Sequence, residues 1–366
     1  MKLCADILYW RLKEELKVVE LHGAGSPELT LSRPEFYLDR TQTFEQNRVY
    51  VCSADHLPAR PSLRENVCLV CLGQHWNLTA FYDRCSVIVV EAETDIFRVF
   101  NLVQHIFDRY EAWEERLWHI LRHGANLPQM LEVSRDILSN PMQLIGSDFR
   151  YLAVTDEAYF QKDLGIRLDT ETFDAEKMAT FLSLHDLSTH VHEPLLLELQ
   201  GARTLSVNVF DQEEYLGCLT VFEAFRPLRD SDRSLAVFLA KLLRQAIQQN
   251  PYLLCGEPLQ LKFGQVDGIA AALQFETGCR LRVAAGLLYA LRHNAGNGHT
   301  CLPRGKLLET TSKFLRVAPP EIEAGLEELL STEELRTRTF DGVEYIYLPD
   351  LLSAEEEQEL ARRVAE

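Results

Sequence analysis

The sequence predicts a multidomain α+β protein, with two α/β domains joined by a long helix and an all-α module behind them that ends in a small β-hairpin. Three observations lead there. Short apolar runs bounded by proline, glycine or asparagine fill the first 93 residues, apolar residues recur every three and four positions from Thr94, and past residue 250 two amphipathic stripes precede an Asp341-Gly342 turn. At 366 residues the chain is too long for one ordinary core. The boundaries that follow are 1–93 for the first α/β domain, 94–124 for the long helix and 125–249 for the second domain. Beyond them lie two helical units, 250–298 and 299–350, and an acidic terminal helix, 351–366.

The first domain opens with an amphipathic helix within Met1–Lys17. Candidate strands follow at Val18–Leu21, Leu29–Leu31, Arg48–Ser53, Val67–Leu72 and Ser86–Val90, each short and rich in valine, leucine or cysteine. Thr94 is the expected N-cap of the long helix. Along it Ile96, Val99, Val103, Ile106, Tyr110, Trp113, Leu117 and Ile120 keep a 3.5-residue period. Such a seam suits a symmetric partner, which would make the chain a homodimer, or burial on the helix's own domain. Gly124 closes it. The second domain reads as a helix Gln129–Leu138, strands Met142–Ile145 and Tyr151–Thr155, a hairpin of Thr204–Phe210 with Tyr215–Phe225, and a closing helix Ser231–Gln248.

No apolar run is long enough for a bilayer span, and Asp6, Arg11, Lys13, Glu14 and Glu15 interrupt the first helix, so neither a signal peptide nor a membrane contact is expected. Nine cysteines, an odd number, several inside apolar runs, point to the reducing cytoplasm. The chain carries a net charge of −18, yet Thr277–Ala318 holds seven basic residues against Glu309 alone, a local +6. Those seven are Arg280, Arg282, Arg292, Arg304, Lys306, Lys313 and Arg316; Lys262, Arg336 and Arg338 flank them. An exposed basic island recruits polyanions, and DNA phosphate is the first partner it nominates. A solvated helix face gives the same pattern.

Two resemblances refine this reading. Leu31-Ser32-Arg33-Pro34, Arg48 to Asp55, Asp95 to Val103 and Asp108 to Trp113 resemble the amino-terminal half of PucR-type transcriptional regulators, over about residues 1–248. The resemblance implies two sensor-like α/β domains, the second GAF-like, and an effector of unidentified chemistry. The His-Arg-Asn-Thr-Leu recognition segment of that family does not occur in this chain. Phe263 to Ala270, Arg282 to Leu287, Gly298 to Arg304 and Tyr347-Leu348-Pro349 are similar to the region ahead of the motor in RecD-like DNA helicases, over about residues 250–355. That likeness implies a helix-hairpin-helix followed by a winged helix.

The residues support a winged helix independently. Leu307, Leu308, Thr311, Phe314 and Leu315 mark one helical face, and Pro320 opens a second helix with Ile322, Leu326, Leu329 and Leu330 inward. Arg336–Phe340 and Val343–Leu348 are the wing strands. The second helix, which in a DNA-reading winged helix enters the groove, carries Glu321, Glu323, Glu327 and Glu328, the wrong sign for that task. DNA contact would then fall to Arg304, Lys306, Lys313, Arg336 and Arg338, or the module is a protein-interaction adaptor. Gln260-Leu261-Lys262 stands where a RecD-like hairpin has glycines, which puts side chains between backbone amides and phosphate.

No enzyme is expected. Around Gly305-Lys306 a phosphate loop lacks its first glycine, replaced by Thr300, and its hydroxyl, replaced by Leu307. Cys68 and Cys71 lie in a strand-like run, where core thiols are the simpler reading than zinc ligands. His185, His190 and His192 with Glu193 match no ligand spacing, and His119 with His123 suits a helix C-terminus. Neither a cofactor nor a metal is nominated.

Overall fold

The computed structural model describes residues 1–17, 19–23, 26–37, 43–146, 151–165, 191–199, 201–212, 214–255, 263–272, 275–276, 278–340 and 342–353. The chain divides into two compact units, Met1–Ser147 with Ala153–Arg244, and Asp148–Leu152 with Gln245–Glu366. The mixed α+β class holds in both.

In the first unit, α1 (Ala5–Glu15) precedes a five-stranded sheet of order β1-β5-β4-β3-β2, with β1 Val19–His22, β2 Pro34–Phe36, β3 Val49–Ser53, β4 Cys68–Leu72 and β5 Ser86–Val90. β2 to β5 run parallel and β1 closes the edge antiparallel. Parallel strands are covered on both faces, and so β3 to β5 read as unbroken apolar runs. Tyr50, Cys52, Leu69, Cys71, Val87 and Val89 face one cluster with Phe44, Leu78 and Phe81. The alternate residues, Val51, Cys68, Val70 and Ile88 among them, are buried on the other side. Cys68 and Cys71 therefore point to opposite faces of β4 and cannot share one ion.

One predicted strand moves. Leu31 makes only an isolated bridge to Leu3, and the strand instead begins at Pro34, whose missing N–H is tolerated at the start of an edge strand.

The long helix α2 (Ile96–Arg122) is capped by Asp95 rather than Thr94: the Asp95 carboxylate accepts from the Phe97 N–H at 3.2 Å. Its stripe is consumed at home. Val99, Val103, Ile106, Tyr110, Trp113 and Leu117 are buried within the unit, and Ile96 and Ile120 are half-covered. Six of the eight seam side chains thus follow the second of the two expected readings, burial on the helix's own domain. Arg11, 7 % exposed, fastens α1 to this core by donating to the Tyr110 hydroxyl and to the carbonyls of Asp136 and Ile137.

The predicted helix Gln129–Leu138 is broken into α3 (Leu127–Glu132) and α4 (Arg135–Leu138). Ser134 sits at the break, where its hydroxyl donates to the Met130 carbonyl at 2.7 Å and accepts from the Trp113 indole at 2.9 Å. A serine bonding back to its own turn competes with helix continuation. The second sheet follows, β6 (Met142–Gly146), β7 (Tyr151–Val154), β8 (Leu195–Leu199), β9 (Ala202–Asp211) and β10 (Glu214–Phe222), in the order β7-β6-β10-β9-β8. A short α5 (Glu157–Lys162) follows β7, and α6 (Asp230–Gln249) closes the unit. Helix, antiparallel sheet and closing helix is the plan the sequence predicts. Register shifts between Tyr215 and Gly217, where an added Cβ would lie 2.3 Å from the Ile145 carbonyl oxygen, so only glycine fits.

The second unit begins with a 3-10 turn, Pro251–Cys255, and α7 (Phe263–Ala272). Then come α8 (Arg280–Gly296), β11 (Cys301–Pro303), α9 (Arg304–Leu315), α10 (Pro319–Ser331), β12 (Arg336–Phe340) and β13 (Val343–Tyr347). α8 packs on both α9 and α10, and the sheet order is β11-β13-β12. Two helices and a two-stranded hairpin follow in the predicted order, with α8 ahead of them and β11 as an added strand. Two glycines allow the close crossings. A Cβ at Gly325 would meet Val283 Cγ1 at 2.6 Å, and one at Gly286 would meet the Leu315 side chain at 2.6 Å.

Trp113 is fully buried and reaches both Ser134 and Phe238, so Trp113→Ala is expected to lower the unfolding free energy of the first unit by about 3–5 kcal/mol. Denaturant melts read that loss, and sedimentation velocity should show the same oligomeric state for parent and variant.

Candidate nucleic-acid interface

The ten basic residues predicted to contact phosphate do not assemble into one face. Arg282 is directed inward from the first turn of α8 and is 8 % exposed. Its Nε and Nη2 each donate to Asp267 on α7 at 2.7 Å, its Nη1 donates to the Leu315 carbonyl at 3.0 Å, and the Tyr252 hydroxyl donates to the same carboxylate at 2.8 Å. Phe263 lies under this guanidinium and continues into Tyr289 and Phe314. The network ties the 3-10 turn, α7, α8 and the end of α9 into one body. It is structural, and Arg282 leaves the interface.

Arg304, the first residue of α9, is held by three carboxylates. Its guanidinium donates to Glu344 on β13 at 3.1 Å, to Glu323 on α10 at 3.3 Å, and to Glu327 on α10. The Glu327 bond first, with the other two behind it, raises the Arg304 pKa beyond its already high ordinary value, so this charge is permanent and fully compensated. Arg280 lies 3.4 Å from Glu328, and Lys313 pairs with Glu309 one turn away on α9. Four of the seven island cations thus face carboxylates. From Thr277 to Asp350 nine lysine and arginine residues stand against ten aspartate and glutamate residues, so the local +6 disappears once α10 folds beside α8 and α9.

The remaining cations are dispersed. Lys306 and Arg316 are exposed at opposite ends of α9, Arg316 in the left-handed cap position, and Arg292 is half-buried on α8. Arg336 and Arg338 share one face of β12 by its two-residue alternation, while Thr337 on the other face donates to Glu344, the carboxylate that also holds Arg304. The wing therefore separates Arg304 from the wing arginines. Lys262 and the Gln260-Leu261-Lys262 hairpin lie outside the described residues. The groove-side helix position of the winged helix, α10, exposes Glu321, Glu323, Glu327 and Glu328. Those four carboxylates are visible in the sequence. The part played by Glu344 is not, because its partner is 40 positions away.

Other sequence candidates fall on known ground. His119 and His123 stack at 4.1 Å, and His123 Nδ1 lies 2.9 Å from the His119 carbonyl, at the α2 C-terminus. His185 and His190 lie outside the described residues, and His192 rests against Phe210. No helix among the described residues is long and apolar enough to cross a membrane.

Residues 236–301 match the family model for the helix-hairpin-helix domain of the ATP-dependent RecD2 DNA helicase. The match takes in α6 from Ala236 onward, the 3-10 turn, α7 and α8, and reaches the first residue of β11. Among solved structures, the GAF domain of a phosphoenolpyruvate-protein phosphotransferase (ptsP) from Coxiella burnetii aligns at 16 % identity over 39 % of this chain and 96 % of that domain, with a TM-score of 0.26. No curated protein matches the chain.

Asp267→Asn leaves Arg282 without its anion and is expected to cost about 3 kcal/mol, as for other broken buried pairs. Arg282 and then Tyr252 hold the Asp267 carboxyl below its usual range. Its contribution is therefore complete above the unfolded pKa near 3.9 and is lost as pH falls through the lower folded value. Urea melts from pH 7 to pH 3 should show that acid loss in the parent and not in the variant.

Proposed function

We propose that this chain is a non-enzymatic, effector-responsive regulatory protein of the cytoplasm whose carboxy-terminal unit engages a partner protein. One observation carries the reading: the helix that would enter a DNA groove presents four glutamates, and two of them, with Glu344, already neutralise the nearest arginine. Such a surface repels phosphate and suits a basic patch on protein. The matched family is named for a DNA helicase, so a DNA-processing motor is the class of partner the similarity favours. The amino-terminal unit, whose second sheet is preceded and followed by helices along the chain, supplies the sensing half.

A second reading, direct contact with DNA phosphates, is favoured by the same family match and by the exposure of Lys306, Arg316 and Arg336. The two separate in one titration. Fluorescence anisotropy with a labelled duplex and a labelled single strand at 50 and 200 mM salt is expected to show no saturable binding. Three phosphate contacts would instead give log K a slope of about −2.7 against log salt, and a slope of that size abolished by Lys306→Ala with Arg316→Ala would establish the second reading. In the favoured reading Glu321→Lys with Glu328→Lys, both exposed, should create DNA affinity where the parent has none.

A further inference from the structure

The first unit holds a cavity of about 340 Å³ between α1, the β1 end, β8 and the start of α6. Its walls include Leu21, Leu196, Leu205 and Leu228, and its charged groups are Arg229, Arg233, Asp6 and Asp230. Two of these groups already have hydrogen-bond partners. Asp6 accepts from the Ser231 N–H at 3.0 Å and so caps α6, while Arg233 donates to the Pro194 carbonyl at 2.7 Å.

Arg229 differs. Its side chain is 16 % exposed and its guanidinium lies 4.4 Å from the centre of the Trp10 ring. The nearest carboxylate oxygen, on Glu14, is 3.9 Å away, too far for a hydrogen bond, and both Glu14 oxygens accept from Arg11 at 3.1 Å. The other nearby anion, Asp232, is 1 % exposed and engaged at both oxygens by Arg226, with one of them also accepting from the Arg229 backbone. Three guanidinium groups thus share two carboxylates. Burial and the neighbouring Arg226 lower the Arg229 pKa, the direction for a desolvated cation lacking a full counter-charge. A half-buried arginine over an aromatic ring, facing a partly leucine-lined space, is a fork presented to a planar anion.

We infer that this cavity binds a small aliphatic carboxylate, with the carboxylate on Arg229 and the hydrocarbon tail against Leu21, Leu196, Leu205 and Leu228. The volume sits at the lower end of ligand pockets, which fits an acid of about six carbons better than a nucleotide. Trp10 and Leu21 come from α1 and the first sheet, Leu196 and Leu205 from the second sheet, and Arg229 from the residue just ahead of α6. A ligand there bridges both sheets. This inference gives an address to the sensing half of the function proposed above, and its test leaves the partner of the carboxy-terminal unit untouched.

The test uses the full chain with 4-methylpentanoate, 3-methylbutylamine and inorganic phosphate as probes, read by isothermal titration and thermal unfolding. The carboxylate should bind one per chain and raise the unfolding temperature with concentration, and the amine and phosphate should do neither. Arg229→Gln should weaken binding by about tenfold or more, the loss expected for a charge-assisted hydrogen-bonded pair. Leu196→Trp, at a position 55 % exposed and so tolerant of bulk, should block the cavity with the Arg229 site intact. The inference is overturned by no saturable carboxylate binding, by equal binding of the amine or phosphate, or by undiminished affinity in both variants when their circular dichroism matches the parent.

Discussion

Removing a guanidinium from water costs several kcal/mol unless an anion and acceptor oxygens replace the hydration, and that constraint organises this molecule more than any apolar contact. Each unit is closed by an arginine that meets it. In the first, Arg226 takes both oxygens of Asp232 and the Leu138 carbonyl, tying the approach to α6 to the end of α4. In the second, Arg282 takes both oxygens of Asp267 and the Leu315 carbonyl, joining the helix-hairpin-helix-like segment to the winged helix. Arg11 repeats the device across α1, α2 and α4. Guanidinium suits this role because its planar fork satisfies several acceptors at once.

The same pairing changes what the carboxy-terminal unit offers to a partner. Its winged-helix topology is shared with many DNA-reading modules, but topology sets only where a helix is presented, and the side chains on that helix set what it attracts. α10 is held against α8 and α9 by Ile322, Leu326 and Leu329, which spends its apolar face on the core and leaves a solvent face rich in carboxylate. Glu323 and Glu327 neutralise Arg304, and Glu321 remains exposed. The result is a solvent face on α10 that carries four carboxylates.

Much of the fold is legible along the chain. The apolar runs of β3, β4 and β5, the seam of α2, the hairpin of β9 with β10 and the wing at Gly342 all follow from periods of two or 3.6 and from turn residues, because those signals depend on neighbours a few positions away. The misses share a cause. Asp95 outcompetes Thr94 as a cap, Ser134 interrupts a helix to serve the Trp113 indole, and the edge strand starts at Pro34 instead of covering Leu29–Leu31. In the last two cases a contact or pairing from elsewhere in the chain overrides a local preference. The α2 seam shows the limit most plainly, since one periodicity serves a dimer or a core equally and only the arrival of α1, β2, β3 and α3 decides it.

The sequence by itself determined the element order, the amphipathic faces and the acidic character of α10, since these are properties of residue type and spacing. Only the tertiary structure decided which charges reach a partner. Coulomb attraction depends on distance in space, and the carboxylates that hold Arg304 lie 19 to 40 positions from it in the chain. Linear charge counts treat such a residue as free. Folding brings Arg304 and its three glutamates together, and it leaves Glu14, 3.9 Å away, as the carboxylate nearest to Arg229.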